Sequence, residues 1–282
     1  MDNFSIFEQL CFSTTRLQTY NNIGQSFCGS GFFYNLQMDD KTIIPLIVTN
    51  KHVVRGMTRG FFRFTKADAD GNPIHKEHFT INYEDNFEKS WYFHPDANVD
   101  LCVLPIQPLL NIAEERKIRL FYRCFDDSLI PTDEIVKSLD VMEDIIMIGY
   151  PNGLWDSINN IPIVRQGITA TPYRIDYEDR KEFMIDAACF PGSSGSPVFI
   201  CNIGSVRDKF GNVQFGTSRI LLLGILYAGP QLTISGDVKV VTVPTAQSKL
   251  QTIAHIPNNL GYVIKSERIL DFKDIFRQII QS

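Results

Sequence analysis

No apolar run in this 282-residue chain is long enough to cross a bilayer; stretches such as Ile220 to Ala228 fall far short of a spanning helix. Basic residues are not in excess. The net charge of -5 offers no basic face of the kind a nucleic-acid partner calls for. The N-terminus, M-D-N-F-S-I-F-E-Q-L, lacks the basic start and continuous apolar segment of a secretory leader. The six cysteines, Cys11, Cys28, Cys102, Cys124, Cys189 and Cys201, include no C-x-x-C pair, which argues against a zinc site. Without a leader all six are expected as reduced thiols in a cytoplasmic protein. Low-complexity tracts, internal repeats and long linkers are missing as well. These absences point to a soluble globular protein with no membrane, nucleic-acid or metal partner.

What is present reads as strand. Aromatic and β-branched residues recur in short runs broken by Gly, Pro, Asn and Asp: Phe32 to Tyr34, Ile43 to Thr49, Gly60 to Phe64, Phe79 to Asn82, Leu101 to Ile106 and Ile145 to Gly149. Further on come Met184 to Ala187, Val198 to Cys201, Ile220 to Leu226, Val238 to Val243 and Gly261 to Ile264. Many short strands at even spacing suggest a sandwich or barrel. Helical periodicity stands out at the C-terminus alone, where Ile269, Phe272, Ile275, Phe276 and Ile279 form an amphipathic stripe. Lys66 to Asn72 and Arg207 to Asn212 read as solvated hairpin turns. Asp68, Asp70 and Asn72 are spaced like the start of a calcium loop, but the closing Glu is missing. A seam between halves falls in the polar stretch Asp126 to Glu134, dividing the chain into 1–125 and 126–282.

Three places could carry chemistry. His52 lies just past the buried-type strand Ile43 to Thr49, where a rigid scaffold can present an imidazole to a cleft. Asp100 immediately precedes an apolar strand; alone it would be a turn residue, and Asp96 and Asp144 compete with it. In P-G-S-S-G-S-P, Ser194 has Gly192 two residues before it and Gly195 one after. Glycines permit backbone angles that turn successive N–H groups toward one point, where they can stabilise an oxyanion. A serine hydroxyl becomes nucleophilic when a neighbouring base takes its proton, and a histidine oriented by a carboxylate is such a base.

With these residues in order, 48 and then 94 positions apart, the chain resembles the chymotrypsin-like serine peptidases. It is most similar to bacterial trypsin-like domains, including the HtrA/DegP proteases. Cys28-Gly29-Ser30-Gly31-Phe32 resembles the family's G-[TS]-G-F strand, and Thr49-Asn50-Lys51-His52-Val53-Val54 its T-N-x-H-V-V. Asp100-Leu101-Cys102-Val103-Leu104 resembles D-L-A-V-L, and Gly149-Tyr150-Pro151-Asn152-Gly153 its G-x-P-x-G loop. Val164 to Ile168 is similar to V-x-x-G-x-V, and Asp186 to Pro197 to D-A-A-x-x-P-G-N-S-G-G-P. The matches run from about residue 25 to about residue 265.

The resemblance implies an all-β fold of two packed antiparallel Greek-key β-barrels with a C-terminal α-helix. The barrel in 1–125 would carry His52 and Asp100, and that in 126–282 the nucleophile Ser194. It implies an endopeptidase acting on protein or peptide substrates, with an oxyanion hole from the N–H groups of Gly192 and Ser194 and no cofactor. Ala188, six before the serine, would lie at the base of the specificity pocket, and Leu226, Tyr227 and Ala228 would form the strand a substrate pairs with. An alanine base suits a small or medium apolar side chain.

Departures from the pattern carry weight too. Digestive relatives have an Asp before the nucleophile that pairs with a new N-terminus after zymogen cleavage; here that residue is Ser193, and no I-V-G-G-like start exists. Val53 stands where those relatives place a cysteine beside the histidine. Too few residues follow the peptidase region for the PDZ domain of the HtrA proteins, so a stand-alone bacterial type is expected. Gating by an activating or regulatory partner protein stays open. So does an inactive or latent protease fold serving as a binding or sensor module. An α/β-hydrolase esterase does not fit, because G-x-S-x-G and its triad order are absent.

Overall fold

The computed structural model describes residues 4–237, 251–257 and 259–281. Its first half contains strands β1 (Thr14–Asn21), β2 (Ser26–Gln37), β3 (Ile43–Thr49), β4 (Met57–Ala67), β5 (Pro73–Tyr83), β6 (Tyr92–Phe93), β7 (Cys102–Pro105), β8 (Leu120–Phe121) and β9 (Phe125–Asp126). They make one sheet in the order β5-β4-β1-β2-β3-β7-β6, with β8 beside β4 and β9 beside β2. The second half contains β10 (Asp144–Gly149), β11 (Ile163–Thr169), β12 (Glu182–Asp186), β13 (Pro197–Asn202), β14 (Ser205–Arg207), β15 (Val213–Phe215), β16 (Arg219–Ala228), β17 (Gln231–Asp237), β18 (Gln251–Pro257) and β19 (Leu260–Lys265). Six of these close into a barrel, β10-β11-β12-β19-β16-β13, while β14–β15 and β17–β18 are separate hairpins. The fold is therefore mostly β, as expected, with one closed barrel, a second sheet and a helix at the C-terminus. The strand read at Val238 to Val243 lies outside the described residues.

Side chains two apart on a strand face the same way, and this alternation sorts the apolar residues into three cores. Phe33, Ile47, Cys102 and Leu104 join Phe62, Phe64, Phe79 and Trp91 inside the first sheet. Because β5 and β7, near opposite ends of the strand order, contribute to this one cluster, the sheet curls on itself. Ile145, Met147, Val198, Ile200, Leu221 and Leu223 fill the closed barrel with Phe183 and Val263. The alternate positions Phe32, Tyr34, Leu46, Val48, Val103, Ile148, Phe199, Leu222 and Ile264 meet in a third cluster where the two units pack together. Burying a Phe, Leu or Ile on either face stabilises by about 2 kcal/mol, so strands apolar on both faces drive both the formation of each unit and their docking.

The C-terminal helix α5 comes after the other four: α1 (Ile6–Cys11), α2 (Lys51–Val54), α3 (Gln107–Glu115), α4 (Asp133–Ser138) and α5 (Phe272–Gln281). The last presses Phe272 and Phe276 into the interface between the units. Lys273 Nζ reaches Asp127 Oδ2 at 2.6 Å, and Tyr34 Oη donates to Asp127 Oδ1 at 2.8 Å, tying the helix to β2. Helices α1, α3 and α4 correct the expectation of helix at the C-terminus alone. They are short; α3 buries Leu109 and Ala113, too few positions to make a periodic signal. Both polar reversals are hairpin turns: Asp68 Oδ1 accepts the N–H groups of Asp70 and Asn72, and Asp208 Oδ1 those of Phe210 and Asn212.

Candidate active site

Strand register brings His52 and Asp100 together. Antiparallel β3 and β7 pair Thr49 with Cys102, so the residues leaving β3 face those entering β7. The single-turn helix α2 then turns His52 toward the carboxylate. Asp100 Oδ1 accepts the His52 backbone N–H at 3.0 Å, and Oδ2 meets His52 Nδ1 at 2.5 Å. Asn50 Nδ2 donates to the Asp100 carbonyl at 2.8 Å, and buried Lys51 donates through Nζ to the Asp96 carbonyl at 2.7 Å. The Asp100 turn is thus held at Asp96 and at Asp100 by the side chains of the two residues that precede the histidine. The imidazole itself stays accessible, at 49 % side-chain exposure, and no described residue occupies its Nε2.

Ser194 sits on the turn between β12 and β13, which docks across the junction of the two units. Its carbonyl accepts the Ser30 N–H at 2.8 Å, and the Ser30 carbonyl accepts Thr49 Oγ1 at 2.7 Å, three residues from His52. Gly195 N–H donates to the Leu226 carbonyl at 2.8 Å. The Ser194 hydroxyl donates to the Tyr227 carbonyl at 3.4 Å. Among the described residues it makes no hydrogen bond to His52. The structure therefore joins His52 to Asp100 directly and brings Ser194 to the same junction with its hydroxyl turned to β16.

The turn's amide geometry follows from where its carbonyls are held. The Pro191 carbonyl accepts Asn152 N–H at 2.5 Å and the Ser193 carbonyl accepts Ser196 N–H at 3.0 Å. In a trans peptide the next N–H points opposite to the carbonyl. Gly192 N–H and Ser194 N–H are thereby aimed away from these partners, and neither has an acceptor among the described residues. Gly192 and Gly195 both have φ +86°, the left-handed region that a side chain resists. At Gly195 a Cβ would also lie 1.9 Å from the Ser30 carbonyl oxygen.

Beside Ser194 opens a cavity of about 300 Å³ lined by Cys189, Phe190, Pro191, Leu226, Tyr227, Ala228, Gly229 and Pro230. Leu226, Tyr227 and Ala228, the strand expected to pair with a substrate, lie along this cavity. Ala188 does not: the Arg165 guanidinium takes its carbonyl, and Cys189 supplies the wall instead. Burial pushes the Cys189 thiol up to about 11, so the wall is neutral. Tyr227 is fixed by a 2.8 Å bond from its hydroxyl to Glu182 Oε2, and burial together with that carboxylate pushes the phenol well above its ordinary value. All six cysteines are free thiols. Among the described residues no group of His, Cys, Asp or Glu side chains gathers as a metal site, and no helix is long and apolar enough to cross a membrane.

Residues the sequence reading did not assign include Asn50, Tyr150, Asn152 and Ser30, all within quoted motifs. Asn152, at φ +51°, carries one usable signal, since Asn tolerates this conformation better than most residues. A family model described as a trypsin-like peptidase domain matches residues 29–206. No curated protein matches the chain. Among solved structures, the chain is similar to the crystal structure of an M. tuberculosis protease in its active form. The two are 14 % identical, the match covers 92 % of this chain and 78 % of that one, and the TM-score is 0.41.

Proposed function

Because the chain belongs to the trypsin-like peptidase domain family, we propose that it is a serine endopeptidase working by acyl transfer. Ser194 Oγ attacks the peptide carbonyl while His52 Nε2 takes its proton and then passes it to the leaving amine. Asp100 holds the tautomer with the proton on Nδ1 and favours the charged imidazole that forms. The N–H groups of Gly192 and Ser194 receive the oxyanion, and losing one such donor commonly costs about 3 kcal/mol of transition-state binding. The observation that carries this reading is the double hold of Asp100 on His52, through both the ring and the backbone. Beyond Leu226 the ladder to β13 ends, which leaves Tyr227 and Ala228 available to pair with an extended substrate. The neutral cavity suits a small or medium apolar side chain before the scissile bond.

A second reading has one observation in its favour: the Ser194 hydroxyl is bonded to Tyr227 and not to His52. On that reading the fold is latent until a partner protein turns it on, or it serves as a binding module. Catalytic hydrogen bonds are often long before substrate binds, which is why the enzyme reading is preferred.

Labelling with a fluorophosphonate probe separates the two. The expected result is labelled wild type, silent Ser194→Ala, silent His52→Ala and a labelled His94→Ala. Well-folded wild type that stays unlabelled, alone and with cellular extract, would sink the enzyme reading.

A further inference from the structure

With Ser193 where digestive relatives place their ion-pairing Asp, something other than charge must hold the oxyanion turn. The Ser193 hydroxyl does not do it: it is buried and has no hydrogen-bond partner among the described residues. Ser30, fully buried on β2, touches the turn twice. Its Oγ donates to the Gly192 carbonyl at 2.9 Å and accepts the Tyr150 N–H at 3.0 Å. Its backbone N–H donates to the Ser194 carbonyl at 2.8 Å.

The geometry points to Ser30 as the positioning residue that keeps the Gly192 and Ser194 N–H groups presented for an oxyanion. This rests on the acyl-transfer reading above. Three successive peptide planes make up the turn. The first is held through the Pro191 carbonyl by Asn152, and the third through the Ser193 carbonyl by Ser196. The middle plane, Gly192–Ser193, has its carbonyl on Ser30 Oγ and its N–H on the Phe190 carbonyl at 3.0 Å. Glycine at 192 places little torsional resistance on that plane, so its restraint comes from these two hydrogen bonds, and Ser30 makes the side-chain one. Rotation of the middle plane would turn both flanking planes and separate the two N–H donors. The same Oγ also binds Tyr150, the residue ahead of the Pro151–Gly153 turn that supplies Asn152. One hydroxyl therefore couples the middle plane to the segment that holds the first. None of these groups titrates, so the turn keeps its shape without an ion pair.

The test compares wild type with Ser30→Ala, and with Thr169→Val as a control. Thr169 is also buried, and its hydroxyl also joins two backbone groups, Glu143 N–H and the Val141 carbonyl, away from the turn. In Ser30→Ala kcat is expected to fall about 30- to 100-fold with KM within about twofold. Affinity for a peptidyl aldehyde, whose adduct places an oxyanion in the hole, should fall by a similar factor. Thr169→Val should lower the melting temperature without moving kcat. If Ser30→Ala does not fold, Ser30→Cys carries the same test, since sulfur fills the site but is a weak donor. Unchanged kcat and aldehyde affinity in a folded Ser30 variant would overturn the assignment. Crystal structures of wild type and variant give the outcome even if wild type proves inert. A rotated Gly192–Ser193 peptide in the variant would uphold Ser30 while the acyl-transfer reading fails; an unmoved turn would defeat Ser30 alone.

Discussion

The two β units contribute to the site in different currencies. The first has an aromatic core, with Phe33 stacked on Phe64 at 5.0 Å and Phe87 edge-on to Trp91 at 5.7 Å, and it supplies side chains, His52 and Asp100. The second is a closed barrel with a largely aliphatic core, and besides the Ser194 hydroxyl it supplies backbone: the turn around Ser194 and the edge at Tyr227 and Ala228. A side chain contributes charge and tautomer, so its neighbours must match it chemically. A turn contributes shape, so its neighbours need only fit. The first unit should accordingly fail by loss of function in a stable fold, and the second by loss of the fold itself.

The strongest way to break this contrast is Asp100→Asn. An amide presents either an N–H to Nδ1 or an oxygen with the backbone N–H left unmatched, so the wrong tautomer of His52 becomes available. A fall in kcat of about 10³- to 10⁴-fold is expected, with the melting temperature nearly kept. A loss below tenfold in steady-state peptide hydrolysis would mean that Asp100 does not orient the base. Next comes Gly195→Ala, whose new Cβ meets the Ser30 carbonyl at 1.9 Å and Thr49 Oγ1 at 2.5 Å in a left-handed backbone. Destabilisation of about 4 kcal/mol or more is expected in urea titration, from overpacking and backbone strain together. Near-native stability would show that the turn is free to move off β2.

A smaller effect tests whether the units are independent at all. Phe199 lies in their shared cluster, with its ring 4.8 Å from Phe125. Phe199→Leu is expected to cost about 1–2 kcal/mol through lost ring contact and a small cavity. If the interface couples the units, calorimetry should show one transition shifted downward; two separated transitions would divide the chain into independent domains.

The same contrast governs what could be read from residues alone. Ile43 to Thr49 emerges with the bounds it was read with, because a buried strand ended by a polar step is a local signal. His52, Asp100 and Ser194 were legible as motifs, and register explains why the first two meet. Ser30 was legible as a letter in a motif but not as a contact, since its partners Tyr150 and Gly192 lie 120 and 162 residues away. Ala188 was placed by counting back from the serine. Counting cannot show that Arg165, from a neighbouring strand, takes its carbonyl and leaves the cavity wall to Cys189. The β17–β18 hairpin was missed because its segments lack the long apolar runs that marked the other strands.

The smallest expected effect concerns a polar link between the units. His94, 4 % exposed in the first unit, accepts the Asp96 N–H at Nδ1 at 3.1 Å, so its proton lies on Nε2 and is donated to Asp271 at 3.0 Å. Asp271 belongs to the segment that leads into α5, and Arg268 forms ion pairs with both Asp271 and Asp96. Burial pushes His94 below its ordinary value; Asp271 opposes that, while Arg268 and Lys51 reinforce it. The unfolded chain, with histidine near 6.5, therefore binds the extra proton first as pH falls. Stability from this group is complete above about pH 6.5 and declines as pH drops below it toward the folded value. His94→Gln keeps a donor and an acceptor but cannot titrate. Urea midpoints from pH 7.5 to pH 5 should therefore fall less steeply for the variant than for wild type. Parallel slopes would show that His94 accepts its proton in the folded state as readily as in the unfolded one, and the link between the units would not depend on its neutrality.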